Sequence, residues 1–183
     1  MTPVSAADVA RELRRRNPDI GQKKLHKLLY YCQGHHLVMT GERLFKDEIA
    51  AYDMGPVVSG LWGAEKHDLP LPAPVELDEA HLNTVGYVLS RYGALTGTDL
   101  EHLTHSERPY LEADAGRRPG TSARIKLETI AAYFGDEDLD DTEPSLAPES
   151  AVVDAWLRDA WDRRQEHVQE DSLQSLRARL PAS

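Results

Sequence analysis

Cysteine is almost absent from this 183-residue chain, which contains one. A single thiol cannot form an intramolecular disulfide, which is typical of proteins that fold in the reducing cytoplasm. Residues 1–5 lack the basic head and apolar core of a signal peptide, and no uninterrupted apolar run approaches the length that spans a bilayer. We therefore expect a soluble cytoplasmic protein that has no membrane partner.

Basic residues are also few, with 21 Lys and Arg against 31 Asp and Glu and a net charge of −10. A nucleic-acid surface needs a basic face, so we expect no direct contact with nucleic acid. Residues 136–183 hold 13 acidic and 5 basic residues, a net charge of −8, whereas residues 1–135 carry only −2. This asymmetry predicts a body in residues 1–135, an acidic linker in 136–150 and a helical C-terminal extension in 151–183.

The sequence lacks the usual signatures of catalysis. It has no glycine-rich phosphate loop, and Ser106 beside His105 has no third group that the sequence can place as an orienting residue. His102 and His105 have the spacing of a shared metal on a helix, but a structural zinc site needs four ligands, and Cys32 lies in a buried pattern. We predict no enzyme, no metal site and no cofactor, and a hydrolase that uses His105 and Ser106 is the alternative from another class.

The strongest positive signal is a helical pattern in residues 23–39. Its apolar residues recur at helical spacing: Leu25, Leu28, Leu29, Cys32 and Met39. Apolar residues on the flanks indicate contact on several sides, so we predict the central helix of a helical domain. Gly34 would mark a close backbone approach, and Gly41 would end the helix as a left-handed cap.

The rest of the body divides into shorter segments. Helices are predicted from Ser5 to about Arg16, from Pro56 to about Lys66, from Asp78 onward, from Thr98 to His105 and from Ser122 to Phe134. Gly97 is expected to end the segment before Thr98. Residues 44–45 and 49–52 fit a small hairpin or a loop pinned to the core. The predicted fold class is therefore all-α, a mainly helical single domain with room for one small β-hairpin.

Two stretches together resemble a known family. The first runs from Lys24 to Gly34, continues through Leu37, Gly41 and Leu44–Phe45, and ends with Ala51 to Val58; the second runs from Leu103 to Tyr110. In this order and spacing they resemble the Panacea domain of SocA-like antitoxins from bacterial and phage toxin–antitoxin systems, over about residues 5–135. Tyr52 and Tyr110 stand where this family often has tryptophan.

The resemblance implies an antitoxin that neutralises a cognate protein toxin by direct binding, and this toxin is expected to be small and encoded by the neighbouring gene. A proteolytic adaptor that delivers the toxin to a Clp-type protease is the alternative, and a homo-oligomer is left open. The residues assigned to the structural motif are Leu28, Leu29, Gly55, Pro56 and His105. For His105 we expect a cap or a hydrogen bond near a helix end.

Aromatic residues are the candidates for toxin contact, because aromatic side chains dominate binding hot spots. The candidates are Tyr30, Tyr52, Tyr110, Trp156 and Trp161. Tyr30 or Tyr31 fits a core position equally well. The stripe that contains Trp156 and Trp161 fits either a helix docked on the body or a second toxin contact.

Overall fold

The computed structural model describes residues 4–140, with side chains described through residue 136. Seven helices and three short strands lie in these residues: α1 (Ala6–Arg16), α2 (Gln22–Thr40), β1 (Ile49–Tyr52), β2 (Gly55–Val58), α3 (Ser59–Lys66), α4 (Glu79–Tyr92), α5 (Gly97–Ser106), α6 (Arg108–Asp114), β3 (Ala123–Arg124) and α7 (Leu127–Asp140). The mainly helical fold with a small hairpin is thus confirmed. No helix in the described part is long and apolar enough to cross a membrane. The predictions for the linker and extension beyond residue 140, including Trp156 and Trp161, lie outside the described residues.

Helix α2 is central, as its sequence pattern predicts. All residues from Leu25 to Gly34 are buried, including Leu28 and Leu29, which have no exposed surface. The helix packs against α1, α4, α5 and β2, which accounts for apolar residues around its circumference. It ends at Gly41, which adopts φ 75° as a left-handed cap. Met39 was expected on the inward face, but it lies in the last turn and is 54% exposed.

Gly34 allows α7 to pack closely on α2. A Cβ atom at this position would overlap the ring of Phe134, so the absent side chain makes room for that ring. Phe134 is 2% exposed, and Ile125 and Ile130 are also buried, as expected. The helix itself begins at Leu127 rather than Ser122, because Ala123 and Arg124 pair with β1 as a third strand. It continues to Asp140, so the boundary expected after residue 135 falls inside it.

The sheet corrects the predicted start of α3. Pro56 lies in β2, opposite Ala51 of β1, and the helix begins only at Ser59. The strand order is β2-β1-β3, so β2 is an edge strand within this sheet. Proline lacks an N–H group, which makes it suitable for an edge strand as well as for a first helical turn. Sequence preference alone therefore could not separate these two positions.

The capping residues of the helices are partly as predicted. Ser5 and Asp8 form the expected capping box of α1, and Asp78 caps α4. For α5 the cap is Thr96 rather than Thr98, and Thr96 pairs with the carboxylate of Asp99. Gly97 does not end the preceding segment but opens α5, where a Cβ atom would come within 3.3 Å of α2.

Candidate interaction site

The β1–β2 hairpin rests on residues from both stretches that carry the family resemblance. Lys27 of α2 and Thr104 of α5 lie directly beneath Gly55 at the start of β2. Gly55 has φ +96°, which residues with side chains rarely adopt. A Cβ atom there would lie 2.8 Å from Lys27 Cε and 3.0 Å from Thr104 Oγ1. Gly55 is therefore required both by the backbone and by the space available.

Lys27 is a buried cation beneath the hairpin. It is 1% exposed, and its Nζ donates a hydrogen bond of 3.4 Å to the carbonyl oxygen of Pro56. Burial lowers the pKa of Lys27 to about 8, with Lys23 adding to the shift and Glu101 opposing it. The amine thus holds the Gly55–Pro56 corner onto α2, at an energetic cost from desolvation.

Tyr30, Tyr31 and Glu107 form a buried group that we call the tyrosine–carboxylate cluster. The Tyr30 hydroxyl donates to Glu107 Oε2 at 2.7 Å, and the Tyr31 hydroxyl donates to Oε1 at 2.6 Å. Burial, together with the Glu107 carboxylate, raises the pKa of both tyrosines above the usual value. Tyr30 has no exposed surface, so the structure places it in the core and leaves it no contact with a partner in this conformation.

His105 and Tyr110 support the hairpin from the α5–α6 side. Their rings stack with centroids 4.4 Å apart, and the Tyr110 hydroxyl donates a 2.9 Å hydrogen bond to the carbonyl oxygen of Tyr52. Tyr110 is 5% exposed, so it too is a supporting residue rather than a surface contact. His105 lies within α5 and caps no helix; its buried Nε2 has no hydrogen-bond partner among the described residues. Burial also lowers the pKa of His105.

The Ser106 hydroxyl is directed back into its own helix. It donates a 2.7 Å hydrogen bond to the carbonyl oxygen of Leu103. In residues 4–136 no group of three or more His, Cys, Asp or Glu side chains is arranged to hold a metal ion. Cys32 is buried, and burial raises the pKa of its thiol, which makes the thiolate scarce.

Three partly exposed side chains form a surface that we call the hairpin face: Tyr52 and Met54 of the β1–β2 hairpin and Trp62 of α3. Met54 at the hairpin turn is 50% exposed, and the half-buried rings of Tyr52 and Trp62 lie 5.8 Å apart. The Lys66 amine lies 4.6 Å above the Trp62 ring, a favourable cation–π geometry. Of the five aromatic candidates, Tyr52 is thus the described one with surface available for contact.

A salt bridge fixes the turn that presents Met54. Asp53 accepts hydrogen bonds from Arg117 Nη1 at 2.6 Å and from the Gly120 amide at 2.8 Å. These two bonds, Arg117 first, lower the pKa of Asp53, so the carboxylate stays charged at neutral pH. The hairpin face is consequently held from below by buried groups and at its tip by an ion pair.

Sequence reasoning missed two of the supporting residues. Lys27 interrupts the apolar pattern of α2, and Glu107 directly precedes the first turn of α6. A lysine among the apolar residues of a buried helix could have identified Lys27 as a buried supporting residue. Nothing local distinguished Glu107, because its partners lie 76 and 77 residues earlier in the chain.

Comparison with known families gives an independent reading of this region. Residues 25–110 match the family model described as antitoxin SocA-like, Panacea domain. The match is narrower than the 5–135 span expected from sequence, and it includes both the tyrosine–carboxylate cluster and the hairpin face. No curated protein and no solved structure shows significant similarity to the chain. The family match supports an antitoxin role in general terms. Residues 25–110 of this chain are therefore similar to the Panacea domain of SocA-like antitoxins.

Proposed function

We propose that this protein is a cytoplasmic antitoxin that neutralises a cognate protein toxin by direct binding, and that the hairpin face is the contact surface. The observation that carries the proposal is the half-exposed Met54, presented on a hairpin whose base and turn are fixed by Lys27, Tyr110 and the Asp53–Arg117 pair. A prearranged surface loses little conformational entropy on binding, which favours affinity.

The composition of the hairpin face also suits a protein partner. Tyrosine, tryptophan and methionine are enriched in interface cores, where large side chains fill pockets of the partner. Tyr52 and Trp62 are half buried, so their rings are already oriented and keep part of their surface for contact. Tyr110 acts beneath this surface as a support, through its hydrogen bond to the Tyr52 carbonyl oxygen.

Replacing Met54 with aspartate is expected to weaken toxin binding at least tenfold. The substitution places a charge at the centre of the proposed contact, where it would be desolvated without a partner. Calorimetric titration of the purified chain with the toxin encoded by the neighbouring gene measures the dissociation constant. A thermal melt of the variant should match that of the wild type, because Met54 is half exposed and makes few core contacts.

Met39→Asp is the matched control for this experiment. Met39 is 54% exposed against 50% for Met54, but it lies 12 residues beyond Lys27 in α2, about 18 Å along the helix axis. The control should bind the toxin as the wild type does. Equal affinity of the wild type and Met54→Asp would exclude the hairpin face as the contact, and a wild-type chain that binds no toxin would exclude neutralisation by direct binding.

Catalysis is proposed to have no part in neutralisation. The variant Ser106→Ala removes the candidate nucleophile and leaves the stack of His105 on Tyr110 in place, so it should still rescue growth of cells that express the toxin. A melt of the variant should match that of the wild type. Mass spectrometry of the toxin after incubation with the wild-type chain provides the direct check. A covalent change in the toxin that Ser106→Ala fails to produce would assign a hydrolytic or transfer activity instead.

A further inference from the structure

The connection between α3 and α4 contains a segment of alternating prolines, residues 69–74, which we call the proline strap. Leu69, Leu71 and Ala73 each precede a proline, and a residue in that position is driven out of the helical region into extended conformations. The ring of each proline fixes its own φ near the polyproline II value. The sequence therefore favours an extended, polyproline II-like path for these six residues. In the structure, residues 69–74 belong to no helix or strand.

All six residues of the proline strap are exposed. Leu69 is 57% exposed and Leu71 38%, so two large apolar side chains point away from the core within three residues. An exposed apolar cluster of this kind marks a contact surface more often than chance placement does. The proline rings beside the leucines extend the apolar surface along the segment.

Hydrogen bonds anchor the proline strap along its length, and within residues 4–136 no other segment covers it. The Leu69 amide donates to the carbonyl oxygen of Ala64 at 2.8 Å, and Arg11 Nη2 donates to the carbonyl oxygen of Pro72 at 3.0 Å. Immediately after the strap, the Val75 amide donates to Asp8 Oδ1 at 2.8 Å. A segment that is already fixed and extended binds with a small entropic cost.

The chemistry of the strap restricts what can bind it. Its three prolines lie at alternate positions and have no N–H group, so the edge of the segment on which they lie cannot donate to a partner strand. Protein grooves that recognise polyproline II segments are lined with aromatic side chains, which pack on the proline rings and adjacent apolar residues. Arg11 and Arg15 of α1 lie beside the strap, but each forms an ion pair with an acidic residue of its own helix, Asp8 and Glu12. Asp68 and Glu76 flank the strap and are exposed, which favours a complementary groove with a basic rim.

We propose that the proline strap is a second docking segment for the toxin, and that it occupies a groove on the toxin lined by aromatic side chains and rimmed by basic ones. This inference rests on the proposed function. The strap lies close to the hairpin face in sequence. Trp62 of that face lies in α3, and α3 ends at Lys66, three residues before the strap. Two contacts on one toxin molecule would reinforce each other, since binding at one raises the effective concentration at the other.

The test is a titration of the toxin encoded by the neighbouring gene with the full-length chain and its variants. Leu69→Ser/Leu71→Ser removes both exposed leucines and leaves the prolines and anchoring hydrogen bonds in place, so the melting temperature should not change. We expect the dissociation constant to rise at least tenfold. Pro70→Ala/Pro74→Ala retains the leucines and relaxes the backbone, and a smaller loss of about threefold is expected from the reduced polyproline II population.

Leu111→Ser is the matched control, because Leu111 is 52% exposed and lies on α6, which packs on α5, β1 and β3. It should change the dissociation constant less than threefold. Wild-type affinity of the Leu69→Ser/Leu71→Ser variant would overturn the strap proposal and leave binding through the hairpin face intact. An equal loss in Leu111→Ser would overturn it as well, because the effect would then follow general surface apolarity. A wild-type chain that fails to bind the toxin would refute both proposals.

Discussion

Replacing Glu107 with alanine is expected to lower the free energy of unfolding by about 3–5 kcal/mol. The carboxylate accepts hydrogen bonds from the hydroxyl groups of Tyr30 and Tyr31. These tyrosines are 0% and 1% exposed and lie in the core. Without it, two buried donors lose their shared acceptor, each at a cost of about 1–3 kcal/mol, and the missing side chain leaves a cavity. Denaturant unfolding monitored by circular dichroism measures the change.

Two milder variants separate the hydrogen bonds from the packing. Glu107→Gln keeps the size of the side chain and one acceptor oxygen, and should cost about 1–2 kcal/mol. Tyr31→Phe keeps the ring, whose centroid lies 4.0 Å from that of Tyr92, and removes one donor. In the double variant Glu107→Ala/Tyr31→Phe, the second substitution should cost little, because no acceptor remains to be lost. A Glu107→Ala variant as stable as the wild type would show that the cluster does not stabilise the fold.

Replacing Lys27 with methionine is expected to raise the free energy of unfolding at pH 7 by about 3 kcal/mol. Burial lowers the pKa of this lysine from 10.5 to about 8, and each pKa unit corresponds to about 1.4 kcal/mol of differential stability. Methionine has a similar volume and no charge to desolvate, so the penalty is removed while the space beneath Gly55 remains filled. Removing the amine also breaks its bond to Pro56, so we expect weaker toxin binding together with the higher stability.

The gain should depend on pH with a defined sign. Because the folded-state pKa of Lys27 is depressed, the unfolded chain binds more protons between pH 8 and 10.5, and wild-type stability rises with pH in that window. The advantage of Lys27→Met is therefore full below pH 8 and should shrink by about 2 kcal/mol at pH 9.5. Lys23→Met is the control: Lys23 lies one turn earlier and forms a 2.6 Å salt bridge with Glu101 near the surface. A gain for Lys27→Met that does not change with pH would contradict the desolvation argument.

These two variants address one property of the fold, which is that buried polar groups join its elements in addition to apolar packing. Glu107 lies between α5 and α6 and Lys27 lies in α2, and each binds a partner distant in sequence. Buried polar groups are directional, so they fix one arrangement of the elements they join. Such directional contacts suit the hairpin face, which is proposed to bind the toxin as a prearranged surface.

Local sequence signals were sufficient to predict the helix ends that carry a capping residue. Ser5 with Asp8 and Asp78 start their helices as predicted, and Gly41 ends α2, because caps depend on residues three or four apart. The central place of α2 could also be predicted, since apolar residues around a whole helix require contact on several sides.

Where two local signals compete, the prediction followed one and the tertiary structure adopts the other. Thr98 was predicted to open α5, but Thr96 is its cap, and Gly97 lies against α2 in the first turn. Pro56 fits a helix start and an edge strand equally, and pairing with Ala51 places it in β2. In both cases the deciding contact comes from a segment distant in the chain.

By itself, the sequence determined the helical class of the body, its central helix and the similarity of residues 25–110 to SocA-like antitoxins, whereas it left the hairpin open against a loop. Only the tertiary structure decided which aromatic residues reach the surface. Tyr30 and Tyr110 were candidates for contact together with Tyr52, but the fold buries the first two, whose hydroxyls donate to Glu107 and to the Tyr52 carbonyl oxygen. A tyrosine can serve as an interface anchor or as a core residue with a satisfied hydroxyl, and the position of its hydrogen-bond partner selects between them. That partner lies 77 residues away for Tyr30 and 58 for Tyr110, a separation at which local sequence patterns carry no information.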